Sequence, residues 1–328
     1  MPCLSRRSRP HLRGSVARAF VAAVLVAFAM IGAACGEAAP SPTPDLSAPP
    51  STEASPPPAS TTTPPPPDPV LVGAGDIATG GPGDDATAAL LDDIDGTVFT
   101  TGDNVYDRGT AAEYARYYDP TWGRHRARTR PSPGNHDYLT DGAAGYFGYF
   151  GDAAGVPGQG YYSYELATWH VIALNSSIAM SPGSAQEQWL RADLAAHPTQ
   201  CTLAYWHDPV FTSGESHPPS TVARPLYQAL YDSGADVVVW GHNHQYERFA
   251  PQDPTGALDP ARGLRAFVVG TGGASHYSFG PVRANSEVRN ADTFGVLAFT
   301  LHPGGYDWRF VPEAGRTFSD SGTGLCHS

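Results

Sequence analysis

Five short apolar runs between residues 70 and 241 pass directly into side chains that can ligate a metal. Val70 to Gly75 is followed by Asp76, Thr97 to Gly102 by Asp103-Asn104, and Thr129 to Gly134 by Asn135-His136. Cys201 to His207 ends on its own histidine, and Val237 to Gly241 opens into His242-Asn243-His244. Runs of this length and composition are those of buried strands, and the carboxyl ends of strands in α/β sheets are where ligands bind. The glycine that closes four of the runs allows a sharp turn and a close backbone approach. Taken singly, the strand-end aspartates read as helix caps, Asn135 as a turn residue and His207 as a half-buried histidine. Taken together they would gather Asp76, Asp103, Asn135, His136, His207, His242 and His244 on one rim. Burying that much unpaired polarity without a cation is costly. The spacing His242-x-His244 puts both imidazoles on one side of an extended segment, which is metal chemistry.

Further strands are expected at Tyr161–Glu165, His170–Asn175, Ala266–Gly270, Val296–His302 and Tyr306–Val311, and helices at Asp84–Leu91, Ala111–Tyr118, Ala185–Ala196 and Val222–Asp232. Strand alternating with helix predicts an α/β domain with helix-covered sheets over residues 69–328. The stretch Tyr138 to Tyr162, rich in glycine and aromatics, reads either as a wall of a substrate cleft or as aromatic packing under a long connection. Arg124, Arg126, Arg128 and Arg130 alternate along what reads as a solvated strand face.

All 20 basic residues are arginine, and five of them precede residue 35, leaving 15 against 32 acidic residues, a net −17. Such a surface argues against nucleic-acid binding, which needs clustered cations. Residues 1–35 have the layout of a signal peptide: arginines, then the apolar run Ala19 to Ala34, then Cys35. The run is shorter than the roughly 20 residues of a spanning helix. Ile31 to Cys35 resembles a bacterial lipobox, with Gly32 where an aliphatic residue is usual, so Cys35 is a lipidation candidate and simple cleavage the alternative. Residues 36–68, made of Pro, Ser, Thr and Ala, read as an extended spacer. With Cys3 removed and Cys35 lipidated, Cys201 and Cys326 remain, and in an oxidising compartment they would pair, tying the C-terminal tail to the start of a central strand.

The ordered motifs resemble the calcineurin-like metallophosphoesterases, and among them the purple acid phosphatases. The family order GD, GDxxY, GNH followed by Asp or Glu, a single His, then GHxH is matched by Gly75-Asp76, Gly102 to Tyr106, Gly134 to Asp137, His207 and Gly241 to His244. Most of the superfamily reads Asp-x-His first and ends the second motif on Asp; here Ala78 and Tyr106 hold those places. The resemblance implies two mixed β-sheets flanked by helices in α/β/β/α layers. It implies one metal on Asp76, Asp103, Tyr106 and His244, and a second on Asp103, Asn135, His207 and His242. The first set suits Fe(III), the second a divalent Zn, Mn or Fe. The larger purple acid phosphatases carry a β-sandwich before the catalytic domain, where this chain has the Pro-rich segment.

What the resemblance further implies is attack of a metal-bound hydroxide on phosphorus, with His136 holding the ester or protonating the leaving group. Asp137 would orient His136 or serve as a turn carboxylate, and His217 would contact a phosphate oxygen. The leading function is an exported phosphomonoesterase acting on small phosphorylated substrates, with membrane contact only through a lipid on Cys35. The alternatives are a phosphodiesterase or nucleotidase with the same centre, and a non-catalytic metal- and phosphate-binding surface module, in which His136 would be superfluous. Oligomeric state is left open.

Overall fold

From Val70 the chain lays down β1 (Val70–Ala74) and crosses through α1 (Pro82–Asp92) to β2 (Thr97–Thr101). It crosses again through α2 (Ala111–Glu113), a π-helical turn (Tyr114–Tyr118) and a 3-10 segment (Trp122–Arg128) to β3 (Thr129–Ser132). After α3 (Ala144–Phe150) it enters a second sheet: β4 (Tyr162–Leu166), β5 (Trp169–Ala173), α4 (Ala185–Ala196), β6 (Cys201–Trp206), α5 (Arg224–Asp232), β7 (Val237–Trp240), β8 (Tyr246–Gln252), β9 (Leu264–Val269) and β10 (Ser286–Asn290). It then returns to the first sheet with β11 (Gly295–His302), β12 (Gly305–Pro312) and β13 (Ser321–Leu325). This computed structural model describes residues 67–199 and 201–327. The expected signal peptide, Cys35 and the Pro-rich segment as far as residue 66 lie outside the described residues.

The sheets have strand orders β13-β12-β11-β1-β2-β3 and β10-β8-β9-β7-β6-β5-β4. In the first sheet the parallel strands β1-β2-β3 run to one edge with antiparallel β11, β12 and β13 on their other side, and in the second the parallel strands β5-β6-β7-β9 form a centre between antiparallel β4 and β8, so both sheets are mixed. They face each other through Phe99 against Tyr205 (ring centroids 5.5 Å apart) and Phe267 against Phe299 (5.4 Å). Along β6, Leu203 and Tyr205 join that inner core, whereas Ala204 and Trp206 face a second cluster with Leu190 and Leu194 of α4 and Leu226 and Leu230 of α5. A strand buried on both faces has to be apolar throughout, and this is why the central strands were legible as unbroken runs. Each large side chain so buried contributes roughly 1.5–3 kcal/mol.

Two expectations change, and one open alternative is decided. Residues 122–128 form a 3-10 segment rather than a strand face, and Arg128 donates to the carbonyls of Leu91, Ile94 and Gly96, closing the end of α1. Arg124 pairs with Asp92, and Arg126 and Arg130 lie over the rings of Tyr149 and Tyr164. Of the two readings of the 138–162 stretch, aromatic packing holds for its buried rings: Phe150 packs on Tyr114 and Tyr118, and Tyr146 on Phe150. Strands β8, β10 and β13 carry too many polar, Gly or Pro residues to read as strands, and are set by pairing with apolar neighbours instead.

Cys201 and Cys326 form a disulfide with Cα atoms 5.3 Å apart across 125 residues of sequence. It joins the end of the first sheet's edge strand to the start of β6. Among the described residues no helix is long and apolar enough to cross a membrane. Replacing both cysteines by serine should lower the unfolding free energy by about 2–5 kcal/mol, read from urea titrations of the two proteins. An unchanged midpoint would mean that pairing with β12 alone holds the tail.

Candidate metal centre

The carboxyl ends of β1, β2, β3, β6 and β7 meet at one rim. Past the formal end of β1 and β2 the ladder continues: Asp76 N donates to Gly102 O, Ile77 N to Asp103 O, Ala78 N to Asn104 O, and Tyr106 N to Ala78 O, all within 2.8–3.1 Å. Asp76, Asp103 and His242 adopt φ of 60°, 49° and 68°. For residues other than glycine this left-handed conformation costs of order 1–3 kcal/mol each, and it concentrates at functional sites. Gly134 is needed for proximity, since a Cβ there would lie 2.2 Å from Asp103 Oδ1. The loop beyond Tyr106 is fixed by a capping box in which Glu113 N donates to Thr110 Oγ1 and Thr110 N to Glu113 Oε2, while Asp107 N donates to Glu113 Oε1.

Two donor groups result. In the first, the Tyr106 hydroxyl lies 3.0 Å from Asp76 Oδ1, 3.1 Å from Asp103 Oδ2 and 3.0 Å from His244 Nε2. In the second, His207 Nε2 lies 2.9 Å from Asn135 Oδ1, 3.0 Å from His242 Nδ1 and 3.3 Å from Asp103 Oδ2. All seven residues proposed from sequence as ligands are brought together, with the Asp103 carboxylate common to both groups. His242 and His244 do not point the same way, contrary to the simple alternation argument: the left-handed turn at His242 sends it to the second group and leaves His244 in the first.

The donor chemistry fits a pair of cations. The phenol has one hydrogen for three surrounding acceptors. His207 Nδ1 lies 2.8 Å from the Thr101 carbonyl and must donate to it. In the neutral ring Nε2 is therefore a lone pair facing the Asn135 and Asp103 oxygens. A carbonyl fixing the far nitrogen of an imidazole is the usual second-shell support of a metal-binding histidine. With protons alone, burial works against charge on His207 but the Asp103 carboxylate outweighs it and pushes the imidazole up to about 10. Asp103, although burial opposes its ionisation, is held well below the usual carboxylate range by His207 and His136. Burial, and then the charge on His207, drives His242 down to about 3. Burial and the two aspartates hold the Tyr106 phenol well above its ordinary range. One proton on His207 thus stands where the donor set has room for more positive charge.

The two histidines outside the ligand set lie over it. The His136 ring packs on Tyr106 (centroids 4.4 Å apart), with Nδ1 2.5 Å from the Asp107 carbonyl and its backbone N donating to Asp103 Oδ1. Asp137 does not orient it. Fully buried, it accepts from Asn104 N and Nδ2, Gly134 N and the Tyr114 hydroxyl, and so ties the β2 and β3 ends together. Burial and the neighbouring Asp103 push it up to about 6. His217 packs on His242 with centroids 3.9 Å apart.

Three contributors carried no signal that spacing alone could reveal. Asn243 clamps the backbone of His217, Nδ2 donating to its carbonyl at 3.0 Å and Oδ1 accepting its N–H at 3.3 Å. Buried Glu247 accepts from Ser213 N and the Ser286 hydroxyl and anchors the same loop. Tyr277 stacks on His244 at 4.0 Å.

A family model described as Calcineurin-like phosphoesterase matches residues 63–246, a span that holds both donor groups. Purple acid phosphatase 15 of Arabidopsis thaliana is 31% identical over 164 residues, which is 47% of this chain and 29% of that protein. Purple acid phosphatase 18 of the same plant is 34% identical over 118 residues, 34% of this chain and 26% of that protein. The matched stretches thus span under a third of these relatives. Among solved structures, the purple acid phosphatase PPD1 of yellow lupin seeds aligns with a TM-score of 0.61 at 20% identity, over 78% of this chain and 53% of that one. GAP50, the anchor in the inner membrane complex of Plasmodium, aligns with a TM-score of 0.63 at 15% identity, over 80% and 90%. These structural likenesses are likenesses of fold. With the family model covering more than half of the sequence, the chain belongs to the calcineurin-like phosphoesterase family, and its sequence similarity lies on the purple acid phosphatase side of it.

Proposed function

We propose that the protein is an exported phosphatase that hydrolyses phosphate monoesters at two metal ions. Asp76, Asp103, Tyr106 and His244 would hold an Fe(III), and Asp103, Asn135, His207 and His242 a divalent Zn, Mn or Fe. The observation that carries this reading is the surplus of buried acceptors around the Tyr106 hydroxyl and His207 Nε2, joined through Asp103. Residues 69–328 are assigned as the catalytic domain, 1–35 as the export signal with Cys35 as lipid acceptor, and 36–68 as the spacer. The disulfide supports an oxidising compartment.

Two such ions supply Lewis acidity toward the ester and lower the pKa of a bound water. The chain's own residues orient and neutralise. His136, its Nδ1 engaged by the Asp107 carbonyl, keeps Nε2 for an ester oxygen, where it hydrogen-bonds the substrate or passes a proton to the leaving group. His217, beside His242, would reach a phosphate oxygen from the other side, and Asn243 fixes the backbone that carries it.

The purified protein should contain two metals at this centre, show a broad visible band that Tyr106→Phe removes, and release phosphate from a monoester faster than from a diester. A colourless active protein would take Tyr106 off the metal, diester preference would favour the phosphodiesterase reading, and tight phosphate binding without turnover would favour a binding module. His136→Ala should keep its metals and lose about 10²- to 10⁴-fold in kcat. Asn243→Ala and His217→Ala should each lower kcat/KM by about tenfold, the scale of one lost hydrogen bond. The double variant should lose no more than either, because the two residues act as a unit. Multiplying losses in steady-state kinetics would separate Asn243 from His217.

A further inference from the structure

In a protein with 32 acidic residues and 20 arginines, a guanidinium without a partner is a signal. Among the described residues, all arginines but Arg224, Arg283 and Arg309 engage a carboxylate, a carbonyl, a hydroxyl or an aromatic ring. Arg224 and Arg283 line one cavity of about 240 Å³, whose walls include Phe211, Pro219, Phe249 and Gln252, and among the described residues no carboxylate lines it. A larger cavity of about 530 Å³ adjoins it through Pro219 and Arg283, with Glu215 as its carboxylate. Neither shares a residue with the two donor groups of the metal centre.

Gln252 is 1% exposed, and its amide is held in one orientation. Asn285 Nδ2 donates to the Gly256 carbonyl at 2.9 Å and to Gln252 Oε1 at 3.2 Å, so Gln252 Nε2 is left as a donor, without a partner among the described residues. An unpaired buried donor is costly, and an acceptor seated in this cavity would offset that cost. Arg224 is the first residue of α5, a helix start without a side-chain cap, and that end of a helix favours negative charge. Arg283 is placed by its backbone N, which donates to Ser213 Oγ at 2.9 Å.

We propose that Arg224, Arg283 and Gln252 form a binding site for a small oxyanion, a phosphate or carboxylate group, beside the loop that carries His217. The charged and unpaired polar groups lining the cavity are all donors, which is the chemistry that receives a ligand made only of acceptors. Phe211 and Phe249 shield one side from water, and hydrogen bonds to charge gain strength where water is excluded. The volume suits a small group and not a whole drug-sized molecule. Pro219 follows His217 by two residues and Ser213 precedes it by four, so an anion held here bears on that loop from both of its ends. Two sources supply this chemistry: a second anionic group carried by the phosphate ester, or a free anion that braces the loop.

The test is a calorimetric titration of the whole purified protein with sodium sulfate, an unreactive oxyanion, compared with the double variant Arg224→Gln/Arg283→Gln. The quantity read is the difference between the two proteins, so sulfate taken up at the Asp103 centre cancels. Wild type should bind one equivalent that the double variant binds roughly 10- to 100-fold more weakly, the scale of one hydrogen bond to a charged group. Both arginines are exposed, and far-UV circular dichroism should show the fold of the variant unchanged. A second arm, which rests on the phosphatase reading, compares kcat/KM for phenyl phosphate with that for carboxyphenyl phosphate. A loss in the double variant confined to the carboxylated ester would assign the site to the substrate, and an unchanged ratio with the sulfate equivalent lost would assign it to a free anion. A protein that turns over neither ester would defeat the phosphatase reading and leave the sulfate isotherms to decide. Identical isotherms together with an unchanged ratio between the esters would overturn the proposal.

Discussion

The carboxylate of Asp103 is the point on which the architecture turns. One oxygen accepts from the backbone of His136 and the other lies against both the Tyr106 hydroxyl and His207 Nε2. A single side chain thereby connects the ends of β2, β3 and β6, strands drawn from both sheets. The left-handed turn at Asp103, the bare Cα of Gly134 beside it and the buried Asp137 beneath are all conditions for that position. The apolar interior makes the arrangement affordable: strands packed on both faces hold the rim rigid enough to keep three strained residues in place.

The segment Gly241 to Glu247 shows how closely ligand and loop geometry are joined. His242 and His244 serve the two donor groups, while Asn243 and Glu247 hold the loop that carries His217. Side chains pointing to opposite sides of one short stretch do both tasks. A change in the Asn243 amide would therefore be felt at His217 without touching a ligand. In such a site the substrate face and the metal face are not independent design variables.

Sequence reading went furthest where local chemistry and the fold demand the same thing. Parallel central strands buried on both faces must be apolar, and the crevice at their carboxyl ends is where polar side chains gather, so runs such as Val237 to Trp240 followed by His242 announce themselves. Edge strands answer to a different rule. In β13 the sequence Ser-Gly-Thr-Gly-Leu has no apolar period, and its strand form comes from partners on β12 and from the Cys326 bond, both distant in sequence. Of the four arginines from 124 to 130 only Arg130 lies on a strand; the other three misled because alternation was read as a strand, whereas the carbonyls left open at and beyond the end of α1 required a cation and Arg128 supplied it. Asn243 was hidden for a similar reason: its partner is a peptide group 26 residues away, and a peptide group leaves no mark in the sequence.

The two rims of the sandwich carry opposite physical burdens. At the carboxyl rim, residues sit in left-handed conformations and buried acceptors outnumber the hydrogens available to them, so protons alone satisfy the site poorly. At the amino rim of the second sheet the side chains are paired: His170 between two carboxylates, Asp193 further satisfied by Ser163, and Cys201 covalently joined to Cys326. Local rules are broken where chemistry is to be done and observed where the domain must hold together. That contrast assigns the work of the molecule to the first rim. It also gives the second a structural task, since fastening α4, the β4–β5 hairpin and the start of β6 restrains the strand whose far end presents His207.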